Sequence, residues 1–188
     1  MLGPEHLTAT RAGHDALAEQ YGELSRAALD AAPLDRALLG AFAGLVRTDH
    51  PGPLVLDVGC GPGTVAGHLT HRLGVPARGL DLSPAMVERA RRAHPGIALD
   101  VGEMGAIGLA DASVAGLVAW YSLIHVPAGR RQGVVHEFAR VLRSGGHALL
   151  AFRRTSSRCW SAPGPTSPPA SCAPPTRPAW RRRSRRVS

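Results

Sequence analysis

The chain of 188 residues contains no lysine, only three cysteines and no long apolar run. Every apolar stretch falls short of the roughly 18 residues that a membrane-spanning helix requires, so we expect no membrane partner. The first residues, Met1 to His6, lack the basic segment and following apolar segment of a secretory signal. Cys60, Cys159 and Cys172 match neither a disulfide framework nor a zinc pattern. These absences predict a cytoplasmic protein without a metal site.

Acidic residues are also absent after Glu137, and this absence shapes the formal net charge of +8. The first 152 residues contain 13 arginines and 14 acids, whereas the segment from Arg153 contains nine arginines and no acid. The basic character therefore belongs to the C-terminal segment alone. A nearly neutral domain argues against DNA, RNA or a phosphorylated acceptor as its partner. Nucleic acid or an acidic surface is expected to bind only through the basic segment, with strong salt dependence.

Residues 153–188, called the tail below, contain seven prolines and two of the three tryptophans and show no periodicity. Such a composition buries too little apolar surface to offset the entropy of ordering, so we expect disorder. The tail is either a native basic extension or the product of a reading frame shifted near residue 153. We favour the shifted frame, because arginine, proline and serine without acids are typical of an off-frame reading of GC-rich DNA.

Two helices are predicted before residue 50. Residues 14–30 carry one apolar stripe at helical spacing, and a second helix begins after Pro33. The stripe of the first helix consists of Leu17, Tyr21, Leu24 and Ala28. The residues expected to face inward from the second helix are Leu34, Leu38, Phe42 and Leu45 or Val46.

From residue 54 onward, short apolar runs alternate with helical segments. This alternation predicts an α/β fold with an open, mainly parallel sheet and helices on both faces. Ser83 and Pro84 have the residue types expected at the cap and first position of a helix. The predicted strands are 54–58, 77–81, 97–101, 114–121 and 145–152, and the predicted helices are 64–73, 84–93 and 130–142.

A glycine-rich turn follows the first predicted strand and precedes a helix, in the sequence Asp57-Val-Gly59-Cys60-Gly61-Pro-Gly63. Glycines there allow close approach of a ligand to the backbone. The spacing is G-x-G-x-G, whereas the dinucleotide-binding spacing is G-x-G-x-x-G, which disfavours an NAD-dependent enzyme. An acid two residues before the glycines would repel a pyrophosphate but suits a ligand with an ammonium group. A tight turn without a ligand is the simpler alternative.

Asp81 ends the second predicted strand, about 20 residues after the glycines. A carboxylate at this place can accept hydrogen bonds from both hydroxyls of a ribose. Leu82, the next residue, would then lie beside the group that carries this ribose. The alternative is that Asp81 only caps the next helix.

These motifs resemble those of the class I S-adenosylmethionine-dependent methyltransferases. The resemblance covers residues 10–152 and includes the segment from Gly79 to Arg91 and the turn Arg140-Val-Leu-Arg-Ser-Gly-Gly146. It implies a small-molecule methyltransferase with S-adenosyl-L-methionine as cofactor. By the same resemblance Glu103 and Met104 contact the adenine, and residues 1–50 form a cap over the core 51–152. Tyr21 keeps one tyrosine of the family's lid helix, and His14 replaces the other.

Where the fourth predicted strand ends, Trp120, Tyr121 and His125 are expected to line the site, because ligands of open α/β sheets lie at the carboxyl ends of strands. His125 is a candidate general base for a hydroxyl or amine acceptor. A histidine at such a place more often packs or caps, and both aromatic residues are equally candidates for the core.

The family's sheet usually has seven strands, and nothing after Phe152 supplies the last two. A fifth strand with a free edge predicts a monomer or homodimer of marginal stability, with impaired activity. The function expected is transfer of a methyl group to an O, N or C atom of a small molecule. The rival is a non-catalytic protein that binds nucleic acid or acidic surfaces through its tail.

Overall fold

The computed structural model describes residues 4–152, so the tail predicted at 153–188 lies outside the described residues. Two helices, α1 and α2, come first, and a sheet with further helices follows. The helices are α1 (Pro4–Asp30), α2 (Pro33–Asp49), α3 (Thr64–Gly67), α4 (Pro84–Ala93) and α5 (Arg131–Val141). The strands are β1 (Val55–Val58), β2 (Ala77–Asp81), β3 (Leu99–Val101), β4 (Val114–Trp120) and β5 (Leu142–Ala151).

The strands of the described region form one parallel sheet in the order β3-β2-β1-β4-β5. The chain builds outward from β1 in one direction through β2 and β3, then crosses back to continue with β4 and β5. The open parallel α/β fold predicted from the sequence is confirmed. Within residues 4–152, β5 pairs along one edge only, with β4.

Both faces of the sheet are covered, which is why β4 has no polar side chain except the Trp120 indole N–H and β1 is apolar except for Asp57. On one face Val55 and Val118 pack with residues of α2, α3 and α4, including Phe42. On the other face Leu56 and Leu117 pack with α5. Side chains alternate between the two faces along each strand, so neighbouring apolar residues enter different cores.

Several predicted boundaries shift. The third strand begins at Leu99 instead of residue 97, and the helix predicted at 64–73 is a short α3 that continues as a π-helical turn, His68–Arg72. The turn predicted before the fifth strand lies inside β5. Gly116 of β4 pairs with His147 whereas Val114 pairs with Leu142, and Gly145 between them has φ of +73°. The glycine therefore forms an irregularity within the strand.

The apolar stripe of the first helix does not face the core, and the inward face predicted for the second helix is largely wrong. Leu17, Tyr21 and Leu24 are exposed, and α1 instead buries Ala18 and Leu29. On α2, Leu34, Leu38 and Leu45 are exposed, while Leu39, Phe42, Ala43 and Val46 are buried. Only Phe42 and Val46 were placed correctly, because the true inward stripe is offset from the predicted one by about one residue.

The segment 102–113, between β3 and β4, is held against α5 by Arg140. Its guanidinium donates to the carbonyl oxygens of Ile107 and Leu109 at 2.8 Å each and to the carboxylates of Glu137 and Asp111. Among the described residues, no helix is both long and apolar enough to cross a bilayer.

Candidate functional site

The carboxyl ends of the parallel strands meet along one edge of the sheet, which we call the carboxyl edge. At this edge β1 leads into Gly59, β2 ends at Asp81, β3 leads into Gly102 and β4 ends at Trp120. Neighbouring parallel strands lie about 4.8 Å apart, so residues that are distant in sequence become neighbours here. The motifs singled out from the sequence are thus brought together along a single edge.

The glycine turn, residues 59–63, has a left-handed backbone at each of its glycines. The φ angles are +71° at Gly59, +52° at Gly61 and +79° at Gly63. A Cβ on Gly59 would overlap the Cβ of Ser122 and lie 3.0 Å from its hydroxyl oxygen. The buried Ser122 hydroxyl donates to the carbonyl of Val58 at 2.7 Å, so it cannot withdraw freely. Glycine is therefore required at position 59 by both conformation and space.

Asp81 is fixed by two backbone hydrogen bonds. Its Oδ2 accepts from the N–H of Gly61 at 2.8 Å, and its Oδ1 accepts from the N–H of Ser83 at 2.9 Å. Burial raises the pKa of this carboxyl, while the two hydrogen bonds and the nearby His14 oppose the rise. Each carboxylate oxygen can accept a further hydrogen bond, because it has two lone pairs. Asp81 thus has a defined orientation and spare acceptor capacity at the carboxyl edge.

Asp57 lies beneath the glycine turn, and only 1% of its surface is exposed. Its Oδ2 accepts from the N–H of Ala66 in α3 at 3.0 Å, and Oδ1 is buried with no hydrogen-bond partner among the described residues. Burial raises the pKa of this carboxyl to about 7, the Ala66 N–H opposes the rise, and the charge of Asp81 adds to it. The Asp57 carboxyl therefore joins β1 to the start of α3, the two elements on either side of the glycine turn.

Cys60, another predicted site residue, contributes its backbone to the glycine turn and buries its side chain. The thiol is buried and packs toward β2, where a Cβ on Gly79 would lie 2.7 Å from Sγ. Burial and the charge of Asp57 raise the pKa of the thiol well above its ordinary value. Only the backbone of Cys60 belongs to the turn, with its N–H donating to Leu80 O and its carbonyl accepting from Gly63.

Glu103 and Met104 follow β3 and are half-buried, as is Leu82 after β2. The Met104 Cε lies 3.5 Å from the place that a Cβ on Gly59 would take, so this side chain reaches the glycine turn. The carbonyl of Glu103 accepts from Ala106 N–H, which fixes the loop after β3. These residues border the carboxyl edge on the side of β3.

The aromatic residues at the end of β4 occupy different places. Trp120 is half-buried and packs against the core on the α2 side of the sheet. Tyr121 has φ of +56°, an unusual backbone for a non-glycine residue, and its hydroxyl lies 3.5 Å from Oδ2 of Asp35. The ring of His125 makes an edge-on contact with that of His14, with centroids 4.7 Å apart. His14 of α1 and the loop after β4 thereby meet above Asp81.

Helix α1 lies across this edge and is held there mainly by polar contacts. The Ser25 and Thr64 hydroxyls are 2.8 Å apart, and Asp15 accepts from Ala85 N–H at 3.2 Å and from the Ser83 hydroxyl. Tyr21, on the same helix, brings its Cε1 to 3.9 Å from the place of a Cβ on Gly61.

Glu19 adds ion pairs to this attachment, with Arg92 at 2.5 Å and with Arg89 at 3.2 Å. Sequence reasoning missed Asp15 and Glu19 as contact residues. For Glu19 the available signal was an acid on one helix and two arginines three residues apart on another, whereas the partners of Asp15 are a hydroxyl and a backbone N–H that residue spacing does not reveal.

Comparison with known proteins gives a consistent result. Residues 55–146 match the family model described as a methyltransferase domain. The chain is 35% identical over 106 residues to methyltransferase GfsG of Streptomyces halstedii and 31% identical over 115 residues to O-methyltransferase resE of Aspergillus sclerotiorum. These alignments cover 53% and 57% of this chain but only 37% and 42% of the relatives. The chain thus spans well under half the length of these two proteins.

Among solved structures, the TehB-like SAM-dependent methyltransferase from Corynebacterium glutamicum superposes with a TM-score of 0.56. The two chains are 26% identical, and the superposition covers 72% of each.

Proposed function

Because residues 55–146 belong to the methyltransferase domain family and fold in its class I, Rossmann-like form, we propose that this chain transfers a methyl group to an O, N or C atom of a small molecule. S-adenosyl-L-methionine is the cofactor of this family. The observation that carries the proposal is Asp81, a buried carboxylate held at the end of β2 by the glycine turn itself.

The chain's own residues fit this cofactor. Asp81 retains lone pairs for the two ribose hydroxyls. The glycine turn offers backbone groups to the methionine part, and an ammonium group bound there would favour the charged form of the Asp57 carboxyl, whose Oδ1 has no hydrogen-bond partner among the described residues. Leu82, Glu103 and Met104 would border the adenosine. We propose Tyr21 as a lid over the glycine turn, and α1 and α2 as the cap of the core.

When bound, S-adenosylmethionine supplies an electrophilic methyl carbon, whose bond to sulfur breaks as its bond to the acceptor atom forms, so that S-adenosylhomocysteine is the product. The protein mainly orients the reactants for this displacement. His125 is the candidate to accept the acceptor's proton at a ring nitrogen, since it lies in the loop after β4 beside His14.

The acceptor is proposed to be a small molecule, because the first 152 residues are nearly neutral. The relative from Aspergillus sclerotiorum is named an O-methyltransferase, which supports an oxygen acceptor. Nucleic acid binding through the tail, the cytoplasmic location and a monomeric or dimeric state stay predictions of the sequence.

Separate titrations with three ligands test this function directly. Calorimetric titration of the full chain with S-adenosylhomocysteine, with NAD and with a 20-base single-stranded DNA separates the proposal from its rivals. We expect micromolar binding of S-adenosylhomocysteine and none of NAD. A folded chain that binds DNA or NAD but not S-adenosylhomocysteine would contradict the proposal.

A further inference from the structure

A stripe of large apolar side chains on α1 is exposed. Leu17, Tyr21 and Leu24 lie at spacings of four and three residues on one face of the helix, and 51%, 47% and 65% of their surfaces are exposed. Apolar side chains arranged in a contiguous stripe on a surface indicate a binding face more often than scattered single residues do.

This stripe is continuous with the carboxyl edge. The Tyr21 ring reaches the glycine turn beside Gly61, and Leu17 and Leu24 lie one turn of helix to either side of it. The stripe therefore flanks the place proposed for the methionine part of the cofactor, where the methyl group would be delivered.

A second group lies near the glycine turn, at the end of β4 and the start of α2. Tyr121 follows β4, the strand that pairs with β1, and so lies near the glycine turn. Its strained backbone directs its hydroxyl toward Asp35 of α2, at 3.5 Å from Oδ2. Leu38, one turn after Asp35, is 44% exposed. A carboxylate and a phenol hydroxyl are thus bordered by an exposed leucine.

The combination limits the chemistry of the acceptor. The side chains of the α1 stripe and Leu38 are apolar or aromatic, and the one charged member of the group is the carboxylate of Asp35. A phosphate or carboxylate on the acceptor would be repelled by Asp35, whereas a hydroxyl group can donate a hydrogen bond to it. An apolar ring system can cover the exposed leucines.

We propose that the methyl acceptor is an uncharged, largely apolar molecule with a hydroxyl group, bound between the α1 stripe and Leu38, with its hydroxyl directed to Asp35 and Tyr121. The proposal rests on the methyltransferase function proposed above. It accounts for the exposure of the residues that periodicity alone would place in the core.

The probe is 2-naphthol, titrated by fluorescence into the full chain saturated with S-adenosylhomocysteine. 2-Naphthyl phosphate is the anionic counterpart. We expect naphthol to bind at least about tenfold more tightly than the phosphate, because Asp35 repels the anion. Leu38→Glu should weaken naphthol binding about tenfold or more. Leu45→Glu is the matched control, since Leu45 is 52% exposed on the same helix two turns further on, and should leave the affinity unchanged.

Failure of naphthol to bind, equal binding of the phosphate, or equal effects of the two glutamate variants would overturn the proposal. Analytical ultracentrifugation of the same samples detects the alternative occupant, a second copy of this chain. A dimer that Leu38→Glu dissociates without changing naphthol affinity would also overturn it. Binding of S-adenosylhomocysteine, measured first on every variant, separates failure of this inference from failure of the proposed function.

Discussion

The carboxylate of Asp81 accepts a hydrogen bond from the N–H of Gly61, twenty residues earlier in the chain, at 2.8 Å. This bond joins the end of β2 to the glycine turn after β1, so the two parts that would bind the ribose and the methionine chain are fixed relative to each other. A second bond, from Ser83 N–H, prevents the carboxylate from rotating. Preorganised acceptors of this kind lose little entropy on binding a ligand.

Gly59→Ala tests the requirement for glycine in the turn. The added Cβ would overlap Ser122 Cβ, and alanine disfavours the φ of +71°. We expect the free energy of unfolding to fall by at least about 2 kcal/mol, together with loss of cofactor affinity. Gly44→Ala is the control, because Gly44 lies within α2 with open space around it, and should stabilise the protein by up to about 1 kcal/mol. Urea unfolding measures the free energy of unfolding of both variants, and calorimetric titration measures the cofactor affinity. Similar effects of the two substitutions would show that the turn is not under this constraint.

Asp57 should make stability depend on pH. Its carboxyl has a pKa of about 7 in the folded state, against an ordinary value of 3.8. Between these values the folded protein keeps a proton that the unfolded chain has lost. The free energy of unfolding therefore decreases as pH rises, by up to about 1.4 kcal/mol per pH unit, and levels off above about pH 7.

Asp57→Asn removes this titration. Between pH 5 and pH 8 the wild type should lose about 2–3 kcal/mol of unfolding free energy relative to the variant, as measured by urea unfolding at the two pH values. Parallel pH profiles for the two proteins would mean that Asp57 is solvated, and the buried position beneath the turn would be wrong.

Asp15→Ala should loosen helix α1. The substitution removes the acceptor of Ala85 N–H and of the Ser83 hydroxyl at the start of α4, a loss of about 1 kcal/mol. We expect limited proteolysis to cleave α1 several times faster, and S-adenosylhomocysteine to slow that cleavage in the wild type. Glu23→Ala, an exposed acid on the same helix, is the control. Equal cleavage rates for the two variants would argue against α1 as a cap held by these contacts.

The strands and the glycine turn could be predicted because their signals are local. A short apolar run such as Val55–Val58, followed by glycines at fixed spacing, has few other structural solutions. The cap of Ser83 was likewise confirmed, since its hydroxyl accepts from Met86 N–H at 3.1 Å.

The orientation of α1 could not be predicted by the same means. Periodicity assigns the largest apolar side chains to the core, whereas α1 meets α4 through the polar side chains of Asp15 and Glu19 and close to Gly22. The Arg89 guanidinium occupies the space that a side chain on Gly22 would need. Such close packing depends on the partner helix, which helical spacing does not reveal. On α2, adjacent leucines at 38 and 39 left two stripes possible, and the structure buries the one with Leu39.

The backbone of the glycine turn could be predicted more fully than the placement of the side chains around it. Cys60 belongs to the turn, but its thiol enters the core, because side chains of successive residues point to opposite sides. Contacts made across the fold, such as His14 with His125 and Tyr121 with Asp35, join residues more than 80 positions apart. Only the tertiary arrangement brings these pairs together.

Binding of S-adenosylhomocysteine to Asp81→Asn tests the central claim most directly. Asparagine preserves the shape of the side chain but removes the charge and one acceptor oxygen. Asp111→Asn, which makes the same change in a carboxylate bonded to Arg140 away from the carboxyl edge, is the control. We expect calorimetry to show at least about tenfold weaker binding for Asp81→Asn and unchanged binding for Asp111→Asn. Equal affinities for wild type and both variants would contradict the assignment of Asp81 to the cofactor and the site built around it.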